Sequence, residues 1–183
     1  MKGSIKEKRL LYNVRQKKDP EAYGALYDLY VNQIYRFVLY KLSNREEAED
    51  VTSEVFLKAW QYLIDTDTEG TAHESFRPLI YTIARHKIID TYRKRANNQY
   101  CAIERAEDLP ADVDLERDIT NHSEIIHLKK KMTGLKQEYQ DVLHLRYIDD
   151  LPVREIASIM NKSNASVRVL LHRATKKLKD SLD

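Results

Sequence analysis

Apolar residues recur three or four positions apart through most of this chain, and this spacing limits the possible folds more than any other feature. It places the apolar side chains along one stripe of an α-helix. The 183 residues include only four glycines and four prolines, so few positions interrupt a helix. We therefore expect an all-α protein.

Three long helices are predicted in the first half of the chain. Their predicted bounds are Asp19 to Leu42, Arg45 to about Leu63, and Phe76 to about Ala96. Ser43 and Asn44 precede the second of them and offer side-chain oxygens that can cap its amino end. Residues 65–75 have no apolar period and include Gly70, so we expect a loop there.

An acidic segment divides the chain into two parts. Residues 98–123 carry many carboxylates and few apolar side chains. Such a segment cannot bury enough apolar surface to offset the entropy lost on ordering. We predict a flexible linker at 98–123, which joins two small helical domains at 1–97 and 124–183.

Composition excludes several classes of protein. The single cysteine, Cys101, rules out an internal disulfide framework. No stretch approaches the roughly 20 apolar residues that span a bilayer, so we expect no membrane insertion. The basic start of the chain lacks the apolar run of a secretory signal, and this predicts a cytoplasmic protein. Twelve tyrosines are expected to pack mostly in the core, with their hydroxyls at its edge.

The sequence offers little that resembles an enzyme. It has no glycine-rich phosphate loop, no His-Glu-x-x-His motif and no cysteine pair for zinc. The six histidines are dispersed. We therefore predict no catalytic activity, no cofactor and no metal site.

The last third of the chain has the layout of a helix-turn-helix. Pro152 suits the first position of a helix, and Ala157 is small where two helices must cross closely. Asn161 tolerates the left-handed backbone that the turn requires, and Ser163 or Asn164 can cap the second helix. The C-terminal domain is therefore predicted to be a helix-turn-helix.

The second helix of this motif has two unlike faces. One is apolar at helical spacing, and the other is polar and basic. A helix of this kind can enter the major groove, where an arginine makes a bidentate contact with guanine and lysines neutralise phosphates. A solvated basic face on a helical hairpin is the alternative. The residues expected to face DNA are Asn164, Ser166, Arg168, Val169, His172, Arg173 and Lys176.

Four blocks of this sequence together resemble the extracytoplasmic-function group of sigma-70-type sigma factors. They are Ala22–Tyr27, Ala48–Trp60, Phe76–Arg85 and Glu155–Ala174. Each block alone is weak, but their order and the linker between the third and fourth are specific. The resemblance implies one domain that binds core RNA polymerase and opens the −10 promoter element, and another that reads the −35 element.

The second block is the main polymerase contact in this family, and it docks on the clamp helices of the largest subunit. The resemblance therefore implies that Glu49, Asp50, Glu54, Phe56 and Trp60 bind the polymerase. Acids beside large apolar groups suit a partner helix with a basic rim and an apolar centre. From the residues alone, the favoured interpretation is that Phe56 and Trp60 belong to the domain core and that the acids form a solvated face.

The third block resembles the helix that opens the promoter. The resemblance places Arg77, Arg85, His86, Lys87, Asp90, Arg93 and Lys94 at the −10 element. Cations recover the cost of unstacking bases when they bind the separated strand. An exposed basic helix end is the alternative. His86 stands where the family usually has asparagine, and imidazole cannot reproduce the paired donor and acceptor of a carboxamide.

The implied partners are core RNA polymerase, through its clamp helices and flap, and promoter DNA, with an anti-sigma protein as a further partner in many members. Other departures from the family pattern are Ser53, Leu79 and Lys136. The competing function is a free-standing helix-turn-helix regulator that binds duplex DNA without polymerase. The acidic linker either faces basic walls of the polymerase or acts only as a tether.

Overall fold

The computed structural model describes residues 5–65, 75–101 and 134–181. These residues fall into two compact units, 5–101 and 134–181. Three predicted segments lie outside the described residues: most of the predicted loop, 66–74, most of the predicted linker, 102–123, and the start of the predicted second domain, 124–133.

Four α-helices form the first unit. They are α1 (Ile5–Lys17), α2 (Pro20–Leu42), α3 (Arg45–Asp65) and α4 (Phe76–Cys101). Helix α2 packs against each of the other three, and α3 also packs against α4. The core of this unit includes the fully buried side chains of Leu26, Ile34, Phe37, Val55 and Ile80.

The predicted helix bounds in this unit agree closely with the structure, because local capping defines them. Asp19 Oδ1 accepts hydrogen bonds from the backbone amides of Glu21 and Ala22, at 2.9 Å and 3.2 Å. Asn44 Oδ1 accepts one from the Glu47 amide at 2.8 Å. Ser43 ends α2 in the left-handed region at φ 54°. The corner between α2 and α3 is therefore fixed by short polar side chains.

Two features of the first unit differ from the sequence prediction. Helix α1 was not predicted, although its buried Leu11 and Val14 are three residues apart. Helix α4 continues to Cys101, so the first four positions of the predicted linker, 98–101, are helical. Local helix propensity does not explain this extension, because asparagine, tyrosine and cysteine are weak helix formers.

Three shorter helices and a π-helical turn form the second unit. They are α5 (Gln137–Leu143), the turn His144–Ile148, α6 (Val153–Met160) and α7 (Asn164–Lys179). Helix α7 packs against both α5 and α6. The core of the second unit contains five fully buried side chains: Val142, Leu145, Ile156, Val167 and Ala174.

The turn of the predicted helix-turn-helix has the expected backbone. Asn161 is left-handed, with φ 52° and ψ 50°, and Ser163 Oγ accepts a hydrogen bond from the Ser166 amide at 3.1 Å. Ala157 is buried at 6% exposure. Pro152 differs from the prediction: it lies just before α6 with ψ 149°, so its ring directs the chain into the helix but is not part of it.

Candidate functional site

The outer face of α3 is acidic, and an exposed apolar residue follows the acids toward the carboxyl end of the helix. Glu49, Asp50 and Glu54 are exposed, as the sequence predicted. Leu57 is 59% exposed on the same helix and was not predicted as a contact. Its outward direction follows from the burial of Val55 and Phe56, which occupy the inner side of the helix. We call Glu49, Asp50, Glu54 and Leu57 the α3 face.

The two aromatic residues predicted on this surface lie further in. Phe56 is 3% exposed, and its ring centroid is 4.6 Å from that of Tyr27. Trp60 is partly buried, with its centroid 5.0 Å from that of Tyr23. The Tyr23 hydroxyl donates a hydrogen bond to the Phe56 carbonyl, and burial raises the pKa of that hydroxyl. The side chain of Phe56 therefore packs in the core and does not extend the α3 face.

Helix α4 presents a mainly cationic strip to solvent. Four exposed residues lie on one side of this helix: His86, Asp90, Arg93 and Lys94. The last three follow His86 by four, seven and eight positions, which is helical spacing. Arg93 Nη1 lies 3.5 Å from Asp90 Oδ1. We call these four residues the α4 strip. Arg93 and Lys94 supply its positive charge.

Three other residues predicted at the −10 element are less accessible. Arg77 is partly buried, and its guanidinium carbon lies 5.9 Å from the Tyr30 ring centroid. Arg85 is also partly buried. Lys87 Nζ is 2.6 Å from Glu54 Oε2, a carboxylate of the α3 face. The structure thus joins two residues that the sequence assigned to different partners.

A further cation of α4 holds the α2–α3 corner. The Arg95 guanidinium pairs with the Glu47 carboxylate and donates a hydrogen bond to the Leu42 carbonyl at 3.2 Å. Nearby, the Tyr92 hydroxyl donates to the Lys41 carbonyl. Sequence proximity groups Arg95 with Arg93 and Lys94, but its guanidinium is used within the fold.

All seven residues predicted at the −35 element are exposed on α7. Arg168, Val169, His172, Arg173 and Lys176 follow helical spacing, and we call them the α7 strip. Among the described residues, no carboxylate pairs with Arg168, Arg173 or Lys176. The opposite side of α7 buries Val167 and Ala174 completely. A helix anchored in this way can present free cations to DNA without reorganising.

Comparison with known proteins identifies the family. Residues 26–98 match Sigma-70 region 2, and residues 128–178 match Sigma-70, region 4. The sigma factor SigW of Bacillus subtilis, described as an ECF RNA polymerase sigma factor, is 29% identical over 91% of this chain and 92% of its own. The sigma factor YlaC of the same organism is 30% identical over 90% and 94%. This chain is an extracytoplasmic-function sigma factor.

Solved structures agree with the fold of this sigma factor. CnrH has a TM-score of 0.71 at 20% identity, with 97% of each chain covered. RpoE from Bartonella quintana has a TM-score of 0.66 at 18% identity, covering 87% of this sigma factor and 96% of RpoE. The predicted all-α fold and the predicted family are confirmed.

Membership of this family establishes the general activity. The sigma factor binds core RNA polymerase and promoter DNA and directs transcription initiation, and it is not an enzyme. The free-standing regulator is not favoured. None of the helices in the described part of the chain combines the length and apolarity needed to cross a bilayer.

The ion pair between Glu54 and Lys87 should stabilise region 2 modestly and in a pH-dependent way. In a double-mutant cycle of Glu54→Gln and Lys87→Met, we expect a coupling of about 0.2–1 kcal/mol near neutral pH, because both groups are partly solvated. The hydrogen bond from Lys87 lowers the pKa of Glu54 below its ordinary 4.5. The coupling is therefore present above pH 4.5 and is lost as the pH falls through the lower folded pKa.

Denaturant unfolding followed by the fluorescence of Trp60, the single tryptophan, measures this coupling in region 2 alone. The pair Arg45–Glu49 is the control, because its side chains are 81% and 57% exposed. We expect its coupling to be smaller. A Glu54–Lys87 coupling that stays constant through acid pH would contradict the assignment.

Proposed function

We propose that the α3 face binds the clamp helices of core RNA polymerase. Three exposed carboxylates precede the exposed Leu57 on the same helix, and acids beside an apolar side chain suit a partner helix that carries both basic and apolar groups. Phe56 and Trp60 support this face from behind, through their contacts with Tyr27 and Tyr23. Leu57 takes the apolar role that the sequence had assigned to Phe56.

The α4 strip is proposed to bind the separated DNA strand at the −10 element. Arg93 and Lys94 can neutralise phosphates, and His86 can stack on or donate to a base. Arg77 and Arg85 are partly buried, so they contribute at the edge of the strip. Lys87 joins it when Glu54 turns toward the polymerase.

The observation that best supports this assignment is the ion pair between Glu54 and Lys87. It shows that the acidic face and the cationic strip belong to neighbouring helices of one compact unit. The proposed polymerase contact and the proposed DNA contact therefore lie on adjacent helices of the same unit.

The α7 strip is proposed to read the −35 element in the major groove, with Arg168 or Arg173 contacting guanine and Lys176 contacting phosphate. Asn164 and Ser166 lie at the amino end of the helix, where phosphates are favoured. Tyr147 and Ile148 are 66% and 53% exposed in the same unit, and we propose them as the contact for the flap.

The domain organisation belongs to the same proposal. We place region 2 within 1–97, a linker within 98–123 and region 4 within 124–183. The cytoplasm is the proposed location, since core polymerase acts there. RpoE from Bartonella quintana forms a complex with the anti-sigma factor NepR, and we propose a protein of that kind as a regulator of this sigma factor.

A charge reversal on the α3 face tests the polymerase contact. Asp50→Lys should lower the amount of core polymerase that co-elutes with the chain by about fivefold or more, because a cation would face a basic rim. Run-off transcription from a mapped promoter should fall in proportion. Saturating polymerase should restore it, since the DNA contacts are unchanged.

Glu21→Lys is the matched control, because Glu21 is an exposed acid on α2 of the same unit. It makes the same change in net charge away from the α3 face. Equal losses in the two variants would indicate a general charge effect and would contradict the proposed contact.

A further inference from the structure

The carboxylate of Glu7 is buried in the first unit and accepts three hydrogen bonds. Glu7 is 5% exposed on α1. Its Oε2 accepts a hydrogen bond from the Tyr30 hydroxyl at 3.0 Å. Its Oε1 accepts two more, from the Ser75 hydroxyl and from the backbone amide of Phe76, both at 2.9 Å. One side chain therefore connects α1, α2 and the start of α4.

A buried carboxylate is retained only where several donors replace its hydration. The three donors come from residues 23, 68 and 69 positions further along the chain. Phe76 is the first residue of α4, so its amide is one that no residue of the helix itself can satisfy. Glu7 thus caps α4 from another helix, and its negative charge favours the positive end of the α4 dipole.

Tyr30 extends this arrangement to a proposed DNA contact. Burial and the neighbouring Glu7 carboxylate raise the pKa of Tyr30 to about 12, so its hydroxyl remains a donor at neutral pH. The Arg77 guanidinium lies 5.9 Å from the centroid of the same ring. Arg77 also belongs to the first turn of α4. Both the backbone and the ring that orient Arg77 are therefore held by Glu7.

We infer that Glu7 is a positioning residue for DNA opening, because it fixes the first turn of α4 and the Tyr30 ring against which Arg77 lies. This inference rests on the proposed role of α4 at the −10 element. Glu7 itself is buried, with 5% of its surface exposed, so its side chain is not presented to DNA or polymerase. Its role is to set the orientation of Arg77 before the strand arrives.

The test uses holoenzyme assembled from core polymerase and the full-length chain, on a promoter mapped for the wild type. Permanganate reactivity of unpaired thymines measures the rate of opening. Glu7→Ala should slow opening about tenfold, since removing a helix cap and leaving buried donors unpaired are each costly. Co-elution with core polymerase should change less than about twofold, because the α3 face is intact.

Two further variants separate positioning from stability. Val14→Ala removes buried methyl groups from the same helix and keeps the carboxylate, so at matched folded fractions it should open the promoter at the wild-type rate. Glu7→Gln keeps one oxygen that can accept from Ser75 and Phe76, and it should recover most of the rate.

Each outcome decides between the alternatives. Equal opening by Glu7→Ala and Val14→Ala would overturn the inference, since stability alone would explain both. A glutamine variant as slow as alanine would overturn hydrogen-bond acceptance as the cause. A double variant Arg93→Ala and Lys94→Ala that opens the promoter at the wild-type rate would overturn the proposed role of α4, together with the inference that depends on it.

Discussion

Replacing Phe56 with alanine should lower the free energy of unfolding of region 2 by about 3–5 kcal/mol. The ring is 3% exposed and packs edge-on against Tyr27, so its removal leaves a cavity and loses an aromatic contact. Trp60 is the single tryptophan, and its fluorescence during denaturant unfolding follows this region alone. Polymerase capture should fall only to the extent that the folded population falls.

The adjacent residue provides the matched comparison. Leu57 is 59% exposed, so Leu57→Ala should change stability by no more than about 0.5 kcal/mol. It should nevertheless weaken co-elution with core polymerase by about fivefold, if Leu57 is the apolar contact of the α3 face. Phe56→Ala should therefore lose stability, and Leu57→Ala should lose polymerase binding. A stable Phe56→Ala variant that fails to capture polymerase would show that the ring is a direct contact.

Replacing Arg168 with alanine should reduce the free energy of discrimination for a preferred −35 element by about 1–3 kcal/mol. This is the usual value of a bidentate arginine contact with guanine. Arg168 is exposed on α7, next to the fully buried Val167 that fixes its direction. Run-off transcription from promoters that differ at single −35 positions measures this effect. Discrimination should be lost at one position and kept at the others.

Lys176→Ala is the control on the same strip. If Lys176 contacts phosphate, its replacement by alanine should weaken binding equally on all sequences. The slope of log affinity against log salt should then fall by about one. If Arg168→Ala behaves like Lys176→Ala, then Arg168 also contacts phosphate, and Arg173 is the remaining candidate for the base contact.

The sequence predicted most accurately those features that are set within a few residues. Asn44 and Ser163 cap helices through their own side chains, and Asn161 takes the left-handed turn by local backbone preference. The exposed strip on α7 likewise follows from helical spacing alone. These features depend on short-range physics, which a single sequence contains.

Features that depend on distant partners were missed or misplaced. Glu7 resembles an ordinary surface acid in a basic segment, because its donors lie at Tyr30, Ser75 and Phe76. Lys87 resembles a free cation until α3 brings Glu54 to it, 33 residues away in the chain. The family resemblance marked the right segment of α3, but only the packing shows that Leu57 faces outward and Phe56 inward.

Arg95 has a mechanical consequence for promoter opening. Its guanidinium binds the last carbonyl of α2 and a carboxylate in the first turn of α3, while its own backbone belongs to α4. Three helices are thereby fixed at a common point, and the corner between α2 and α3 cannot hinge without breaking these bonds. Region 2 should consequently bind the duplex as a rigid body. Little of the free energy of polymerase binding would then be spent on deforming the protein.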